Sequence, residues 1–218
     1  SSSCTVYGSP ESLPVDENAP FKKAESPYGE TKQLCEKMIE ESTLFSVCLR
    51  YFNPIGTHES GLIGDRSVHN PSNRVPVMCE VASGKREKLI INGNDYITKD
   101  GTAIRDFIHV TDIADMHVLA ANNLLKSSSS NIFNCGYGSG YSVKEVITEM
   151  ENIVKNKLRV EIGPRRPKDI AVSVANSDKF KKKFNWKPRF NNLNIILSSA
   201  LNWEKNNLWV LKYYKLFQ

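Results

Sequence analysis

A serine, a tyrosine and a lysine have the types and spacing needed for redox chemistry at an alcohol. Tyr28 and Lys32 are four residues apart, so a helix through this segment places both side chains on one face. An ammonium group beside a phenol favours the phenolate, which makes tyrosine a usable general base. Residues 1–7, further upstream, are predicted to be the end of a strand, and Ser3 within them can hydrogen-bond the same substrate hydroxyl. The trio predicts proton removal from an alcohol while a hydride leaves for a nicotinamide.

The segments around the trio carry clear helix and strand signals. Ser26 and Pro27 predict an N-cap and a first helical residue, with the helix running to about Glu41. Apolar residues at three- and four-residue spacing predict a buried helix face formed by Thr31, Leu34, Cys35, Met38 and Ile39. The short apolar run at residues 45–52 predicts a strand buried on both faces in a parallel sheet.

The rest of the chain alternates strands with helices, which predicts an α/β architecture. Residues 53–100 are rich in Pro and Gly and predict binding loops, interrupted by a helix at 77–83 and a strand at 88–91. Thr111 and Asp112 predict a helix cap, and Ser142 with Glu145 predicts a capping box. Further strands are predicted at 104–110, 132–134, 158–162 and 172–174, and further helices begin near 178 and 193.

The composition restricts the class of protein. With 40% hydrophobic and 24% charged residues, the chain is typical of a soluble globular protein, and we expect a cytoplasmic location with no membrane partner. The net charge of +5 comes mainly from scattered residues, so no nucleic-acid partner is expected. Five widely spaced cysteines predict reduced core thiols, and the histidine spacing predicts no metal site.

Several motifs carry a family resemblance across residues 1–203. They are Ser2 to Gly8 (SSCTVYG), Tyr28 to Lys32 (YGETK), Leu49 to Pro54 (LRYFNP), Gly93 to Tyr96 (GNDY), Asp100 to Val110 (DGTAIRDFIHV) and Pro164 to Arg166 (PRR). With these motifs the chain resembles the extended short-chain dehydrogenase/reductase proteins that act on nucleotide sugars, and among them the UDP-glucose 4-epimerases.

The resemblance implies a partial Rossmann-like, doubly wound parallel sheet with a small C-terminal α/β substrate-binding lobe. Residues 53–100 and 136–218 would contribute mainly to that lobe. The family's glycine-rich NAD-binding half has no counterpart in this sequence, so we expect the isolated chain to be inactive. The glycines of residues 136–140 do not match the dinucleotide fingerprint, because their spacing differs and no acidic residue follows. A full-length protein of this family is expected to be a homodimer.

The resemblance also implies roles for individual residues. Tyr28 would be the catalytic base, Lys32 would bind the nicotinamide ribose, and Ser3, Cys4 and Thr5 would contact the sugar. Near the reacting sugar, the resemblance implies contacts from Tyr51 and Phe52 beside the nicotinamide and sugar, and from Ser173 at a position that sets sugar specificity. Asn53 and Asn73 would contact the sugar and diphosphate, and Arg105 and Arg166 would bind the diphosphate. Asp169 would contact the ribose, and backbone groups of Ile90, Ile91 and Asn92 would contact the uracil.

The implied reaction interconverts UDP-glucose and UDP-galactose by transient oxidation at C4, and the protein retains its NAD throughout. UDP-N-acetylhexosamines are a further candidate class of substrate. Two alternatives stay open. One is a non-catalytic UDP-sugar-binding remnant, although the trio favours an enzyme. The other is a nucleotide-sugar dehydratase, decarboxylase or reductase. Cys4 and Thr5 stand where a 4,6-dehydratase has an acidic pair, which argues against elimination chemistry.

Overall fold

The computed structural model describes residues 1–65 and 73–216, with side chains up to residue 206. Its strands are β1 (Ser2–Ser3), β2 (Val47–Tyr51), β3 (Asn53–Ile55), β4 (Leu89–Asn92), β5 (Ile104–His109), β6 (Asn131–Cys135), β7 (Gly140–Ser142), β8 (Val160–Gly163) and β9 (Val172–Ser173). Its helices are α1 (Pro27–Glu40), α2 (Arg74–Ala82), α3 (Val110–Ser127), α4 (Val143–Val154), α5 (Asp178–Phe184) and α6 (Leu193–Leu216). The predicted α/β class is confirmed.

A parallel sheet in the order β1-β2-β6 carries the N-terminal motif. Ser3 pairs with Tyr51, and Tyr51 pairs in turn with Cys135. The centre of β2 is buried, as the apolar run predicted, with Leu49 only 4% exposed. The predicted strand over residues 1–7 is too long, because Cys4–Tyr7 forms a short 3₁₀-helix after β1. This turn brings Ser3 and Thr5 to the C-terminal end of the sheet.

A second, mixed sheet has β5 at its centre. It pairs in parallel with β3 and β9 and antiparallel with β7. Arg105 lies opposite Ser173, and Asn53 lies opposite Phe107. The sequence analysis missed β3 and β7, which are three residues each and lack a periodic signal. The strands β4 and β8 form a separate parallel pair.

Helix α1 has the predicted start but not the predicted buried face. Ser26 Oγ accepts from the Gly29 amide at 3.1 Å, which is the predicted N-cap. Leu34 and Met38, expected in the core, are 55% and 71% exposed. The face that packs inward carries Gly29 and Glu36 instead. A buried charge holds this helix to the sheet in place of apolar contacts.

Helix α3 begins earlier than the sequence predicted. His109, not the Thr111–Asp112 pair, is the N-cap, and its Nδ1 accepts from the Thr111 amide at 3.2 Å. The capping box of Ser142 and Glu145 is confirmed at the start of α4.

Three apolar clusters support these elements. The largest packs α2, α4 and α6 around β4 and β5, with Met78, Leu89 and Met150 at its centre. A second lies between β6, α3 and α5. The third lies under the N-terminal turn and includes Val6 and Phe52. In the described part of the chain, no helix is both long and apolar enough to cross a membrane.

Candidate active site

Tyr28 and Lys32 lie on the first two turns of α1, at the edge of the parallel sheet. The Lys32 Nζ is 5.6 Å from the centre of the Tyr28 ring. The same ammonium donates a hydrogen bond to the Ser1 carbonyl at 3.2 Å, which ties the helix to the start of β1. Tyr28 is 55% exposed, so its ring is open to a ligand. The pair that the sequence predicted is therefore held together at the surface of the sheet.

Ser3 and Thr5 pack directly against the start of the same helix. A Cβ atom added to Gly29 would lie 3.1 Å from the Thr5 carbonyl oxygen, so the residue after Tyr28 has to be small. Ser3 is 7% exposed, and its Oγ accepts from the Thr5 amide at 3.3 Å. The tertiary structure thus brings the three members of the predicted trio to one place.

Two buried polar atoms in this region have no hydrogen-bond partner. Within residues 1–65 and 73–206, the unpartnered buried side-chain atoms are Thr5 Oγ1, Asn53 Oδ1 and Ser177 Oγ. Thr5 and Asn53 are both predicted substrate contacts. Because buried polar atoms are nearly always paired in folded proteins, an unpaired donor or acceptor indicates a place where a ligand completes the bonding.

Tyr51 and Phe52 follow each other on the chain but face different surroundings. The Tyr51 hydroxyl is 2.6 Å from His117 Nε2, and His117 Nδ1 is 2.8 Å from the Ile113 carbonyl. Burial raises the pKa of Tyr51. Phe52, expected to line the nicotinamide side, is 4% exposed and packs in the cluster with Val6. Its side chain supports the site from the core and does not line it.

Cys4 and Ser173 meet where the two sheets approach each other. Ser173 Oγ donates to Cys4 Sγ at 3.7 Å. Burial raises the pKa of the Cys4 thiol, so this cysteine stays protonated and is not a nucleophile. Ser173 also lies beside Arg105 in the β5–β9 register. The predicted sugar contacts and the predicted diphosphate contacts are therefore neighbours.

Arginines and one aspartate form a charged cluster on the second sheet. Arg105 Nη2 donates to Asp169 Oδ1, and it also donates to the Ile170 carbonyl at 2.8 Å. The Tyr96 hydroxyl is 3.5 Å from Asp169 Oδ2, and Arg74 Nη2 is 4.0 Å from the same oxygen. Arg166 lies close enough to lower the pKa of Arg74. Three guanidinium groups thus converge near one carboxylate, as a site for a multiply charged anion requires.

The strand β4 presents two of its three predicted uracil contacts. Leu89 and Gly93 donate their amides to β8, so alternation places Ile91 on that same edge. The backbone groups of Ile91 are used by the strand pair, and its contact with uracil stays a prediction. Ile90 and Asn92 direct their backbone groups to the other edge. Asn73 is exposed at the start of α2 and makes no side-chain cap bond.

The glycine-rich turn after β6 is occupied by a carboxylate of the protein itself. The amides of Tyr137 and Gly138 donate to Asp106 at 2.9 Å, and the Ala175 amide does so at 3.1 Å. A Cβ atom on Gly136 would lie 2.6 Å from Asp106 Oδ2. These contacts agree with the sequence argument that this turn is not a phosphate-binding loop.

An open cleft of about 400 Å³ borders the charged cluster, between the loop of Ser9, Pro10 and Leu13 and residues 168–172. No group of three or more His, Cys, Asp or Glu side chains among the described residues could hold a metal ion.

Residues 1–136 match the model of the NAD dependent epimerase/dehydratase family. The chain belongs to this family. The match covers the strand of Ser3, the helix of Tyr28 and Lys32, and Arg105, which are the residues whose geometry is described above.

Relatives within the epimerase/dehydratase family include proteins of known name. The chain is 42% identical over 212 residues to the UDP-glucose 4-epimerase of Halalkalibacterium halodurans, covering 95% of the chain and 63% of that protein. The Stenotrophomonas maltophila UDP-glucose-4-epimerase, solved with NAD and formylated UDP-arabinopyranose, is 38% identical, with a TM-score of 0.91 over 96% of this chain and 63% of that one. The UDP-Glc/GlcNAc 4-epimerase of Campylobacter jejuni is 39% identical, with a TM-score of 0.73 over 94% and 63%. The chain spans about three fifths of the length of these relatives.

Three residues of this family member escaped the sequence analysis. Arg74 carries only a weak signal, a lone cation opening an otherwise apolar helix next to Asn73. Tyr96 lies in a motif of the resemblance that predicts no role for it, and the sequence around His117 predicts none either. Nothing in the spacing indicates that they contact Asp169 and Tyr51, because those contacts join distant segments.

Proposed function

We propose that the chain carries the catalytic trio and the sugar-nucleotide site of an NAD-dependent UDP-glucose 4-epimerase. The observation that carries the proposal is the pair of unpartnered buried atoms, Thr5 Oγ1 and Asn53 Oδ1, in the region of Ser3 and Tyr28. The similar epimerases of Halalkalibacterium halodurans and Stenotrophomonas maltophila, the second solved with NAD and formylated UDP-arabinopyranose, support it.

In this proposal Tyr28 takes the proton from the C4 hydroxyl of the hexose and later returns it. Lys32 binds the nicotinamide ribose, and Ser3 orients the hydroxyl. Bound NAD supplies reversible hydride acceptance at the same carbon. Lys32, Tyr28 and Tyr51 would hold that cofactor, because they lie together at the edge of the sheet and the Tyr28 ring is open to a ligand. Phe52 would act only by packing beneath them.

The nucleotide would bind along the second sheet. Arg105 and Arg166 would hold the diphosphate, with Asn53 and Asn73 beside it, and Asp169 would accept from a ribose hydroxyl. Backbone groups of Ile90 and Asn92 would contact the uracil. Strong contacts to the nucleotide with few to the ring leave the sugar free to turn between two faces, as epimerisation requires.

Ser173 would let the site accept UDP-N-acetylhexosamines as well. Its side chain is small and lies beside Cys4, another sugar contact. One similar structure is a UDP-Glc/GlcNAc 4-epimerase, which supports this extension. We expect Ser173→Tyr to remove activity on UDP-N-acetylglucosamine while keeping activity on UDP-glucose. Absence of activity on the N-acetylated sugar in the unchanged protein would contradict it.

We also propose a homodimer, a cytoplasmic location and the division into lobes given above. The exposed apolar residues Leu34, Met38 and Ile39 on α1 support a subunit contact there, because large apolar patches are seldom left in water.

The experiment that tests the function compares the native polypeptide carrying this chain with its Tyr28→Phe variant. UDP-galactose is supplied with NAD, and UDP-glucose is followed by chromatography. We expect turnover by the unchanged protein and a loss of roughly 100-fold or more in the variant, with the affinity for UDP retained. UDP binding without turnover would favour the non-catalytic remnant, and absence of both would contradict the proposed function.

A further inference from the structure

Arg74 occupies a position in the charged cluster that neither the motifs nor the family match singles out. It is the first residue of α2, and its side chain is 16% exposed. Its Nη2 lies 4.0 Å from Asp169 Oδ2, which is beyond hydrogen-bond distance. The other oxygen of Asp169 already accepts from Arg105. The aspartate is therefore committed to Arg105 and neutralises Arg74 only in part.

The positive charge around Arg74 is compensated only in part. Burial lowers the pKa of Arg74, and the charges of Arg105 and Arg166 lower it further, while Asp169 opposes the shift. A guanidinium that is this buried ordinarily has a closely bonded carboxylate or phosphate. Among the described residues, the guanidinium groups of Arg74 and Arg105 both face the carboxylate of Asp169, and Arg166 lies near Arg74. This arrangement favours an added anion that carries more than one negative charge.

The start of α2 adds a further preference for an anion. Asn73 is at the N-cap position of this nine-residue helix, and its side chain makes no cap hydrogen bond to the first amides. The positive end of the helix dipole is at this terminus. Arg74 thus combines a side-chain cation and a helix terminus at one point, next to the aspartate that holds Arg105.

We propose that Arg74 is a third diphosphate-binding arginine, a residue that sets affinity for nucleoside diphosphates over nucleosides. The inference rests on the proposed function and extends it to a residue without an assigned role. In the bound state the guanidinium of Arg74 donates to a phosphate oxygen, and Asp169 keeps its bond to Arg105. The side chain contributes to binding of the nucleotide and takes no part in proton transfer.

The test measures the affinity of the native polypeptide carrying this chain for UDP and for uridine by isothermal titration calorimetry. We expect Arg74→Leu to weaken UDP binding roughly ten- to a hundredfold, as for loss of a charged hydrogen bond, and to leave uridine binding unchanged. Arg74→Lys should recover part of the loss, because it keeps a point charge. Unchanged uridine affinity also shows that the variant is folded.

Arg159→Leu is the matched control. It removes the same charge from an exposed arginine whose carboxylate partner is Glu87, outside the cluster. If Arg74→Leu left the UDP affinity unchanged while Arg105→Leu weakened it, this inference would be overturned and the proposed function would stand. Equal losses for UDP and uridine in Arg74→Leu would also overturn it, since they indicate a structural role. If the unchanged native polypeptide bound neither ligand, the proposed function and this inference would both be rejected.

Discussion

The Glu36 carboxylate and the Arg50 guanidinium form a buried ion pair that joins helix α1 to strand β2. Arg50 Nη2 is 2.6 Å from Glu36 Oε2, and the two side chains are 3% and 6% exposed. Ser2 also donates to Glu36, and Arg50 donates to the Tyr7 hydroxyl at 2.9 Å. Because α1 carries Tyr28 and β1, the neighbour of β2, carries Ser3, this pair fixes the two halves of the proposed catalytic trio relative to each other.

We expect Glu36→Ala to lower the free energy of unfolding by about 3–5 kcal/mol, because it leaves the Arg50 cation buried without its partner. Urea unfolding followed by circular dichroism measures the change. Glu40→Ala, on the exposed side of the same helix, is the matched control and should cost less than about 0.5 kcal/mol. Similar losses in the two variants would show that the ion pair does not hold the helix.

The unpartnered Thr5 hydroxyl predicts a conflict between stability and binding. Thr5→Val removes a buried group without a hydrogen bond, so the free energy of unfolding should stay the same or rise by up to about 1 kcal/mol. Affinity for a UDP-hexose should fall, because the ligand loses a contact. Ser177→Ala is the control, since it removes another unpartnered buried hydroxyl at the start of α5. A loss of binding in both variants would argue against a ligand contact at Thr5.

Asp106 predicts a pH dependence of stability. Burial raises its pKa from 3.8 to about 6, against the lowering effect of three backbone amides. The folded state therefore binds the proton more tightly than the unfolded state, so this contribution to stability is present below pH 4 and is lost as the pH rises through 6. We expect roughly 2–3 kcal/mol to be lost over this range relative to Asp106→Asn, which cannot ionise. Chemical unfolding of both proteins at pH 4, 5, 6 and 7 measures it. A difference between them that is constant with pH would contradict the prediction.

The cysteines are predicted to differ sharply in reactivity. All five are free; Cys35 is exposed, whereas Cys48, Cys79 and Cys135 are buried, so the expectation of five core thiols is wrong for Cys35. Burial, with Glu204 and Glu80, raises the pKa of Cys79 to about 12. Its thiolate fraction at pH 8 is then roughly a thousandfold below that of an ordinary thiol. Mass spectrometry after brief treatment with iodoacetamide should show a single modification, at Cys35.

Cys35→Ser should abolish this fast reaction, and urea should expose the remaining thiols. Rapid modification of Cys79 in the folded protein would contradict the predicted protection.

The sequence by itself determined the local features of this protein. The start of α1 at Ser26 and Pro27, the capping box at Ser142, the alternation of strands and helices, and the Tyr28–Lys32 pair each depend on residues within one or two turns. Such signals act through backbone geometry and short-range bonding, so they can be read from spacing alone.

Only the tertiary structure decided which distant segments meet. The apolar residues of α1 predicted a buried face, yet Glu36 is the residue that faces inward, because Arg50 on β2 lies there to pair with it. Arg74 becomes part of the charged cluster only because β5 and the segment of Asp169 fold against the start of α2. Burial and Coulomb interactions are properties of neighbours in space, and neighbours separated by tens of residues leave no local pattern in a single sequence.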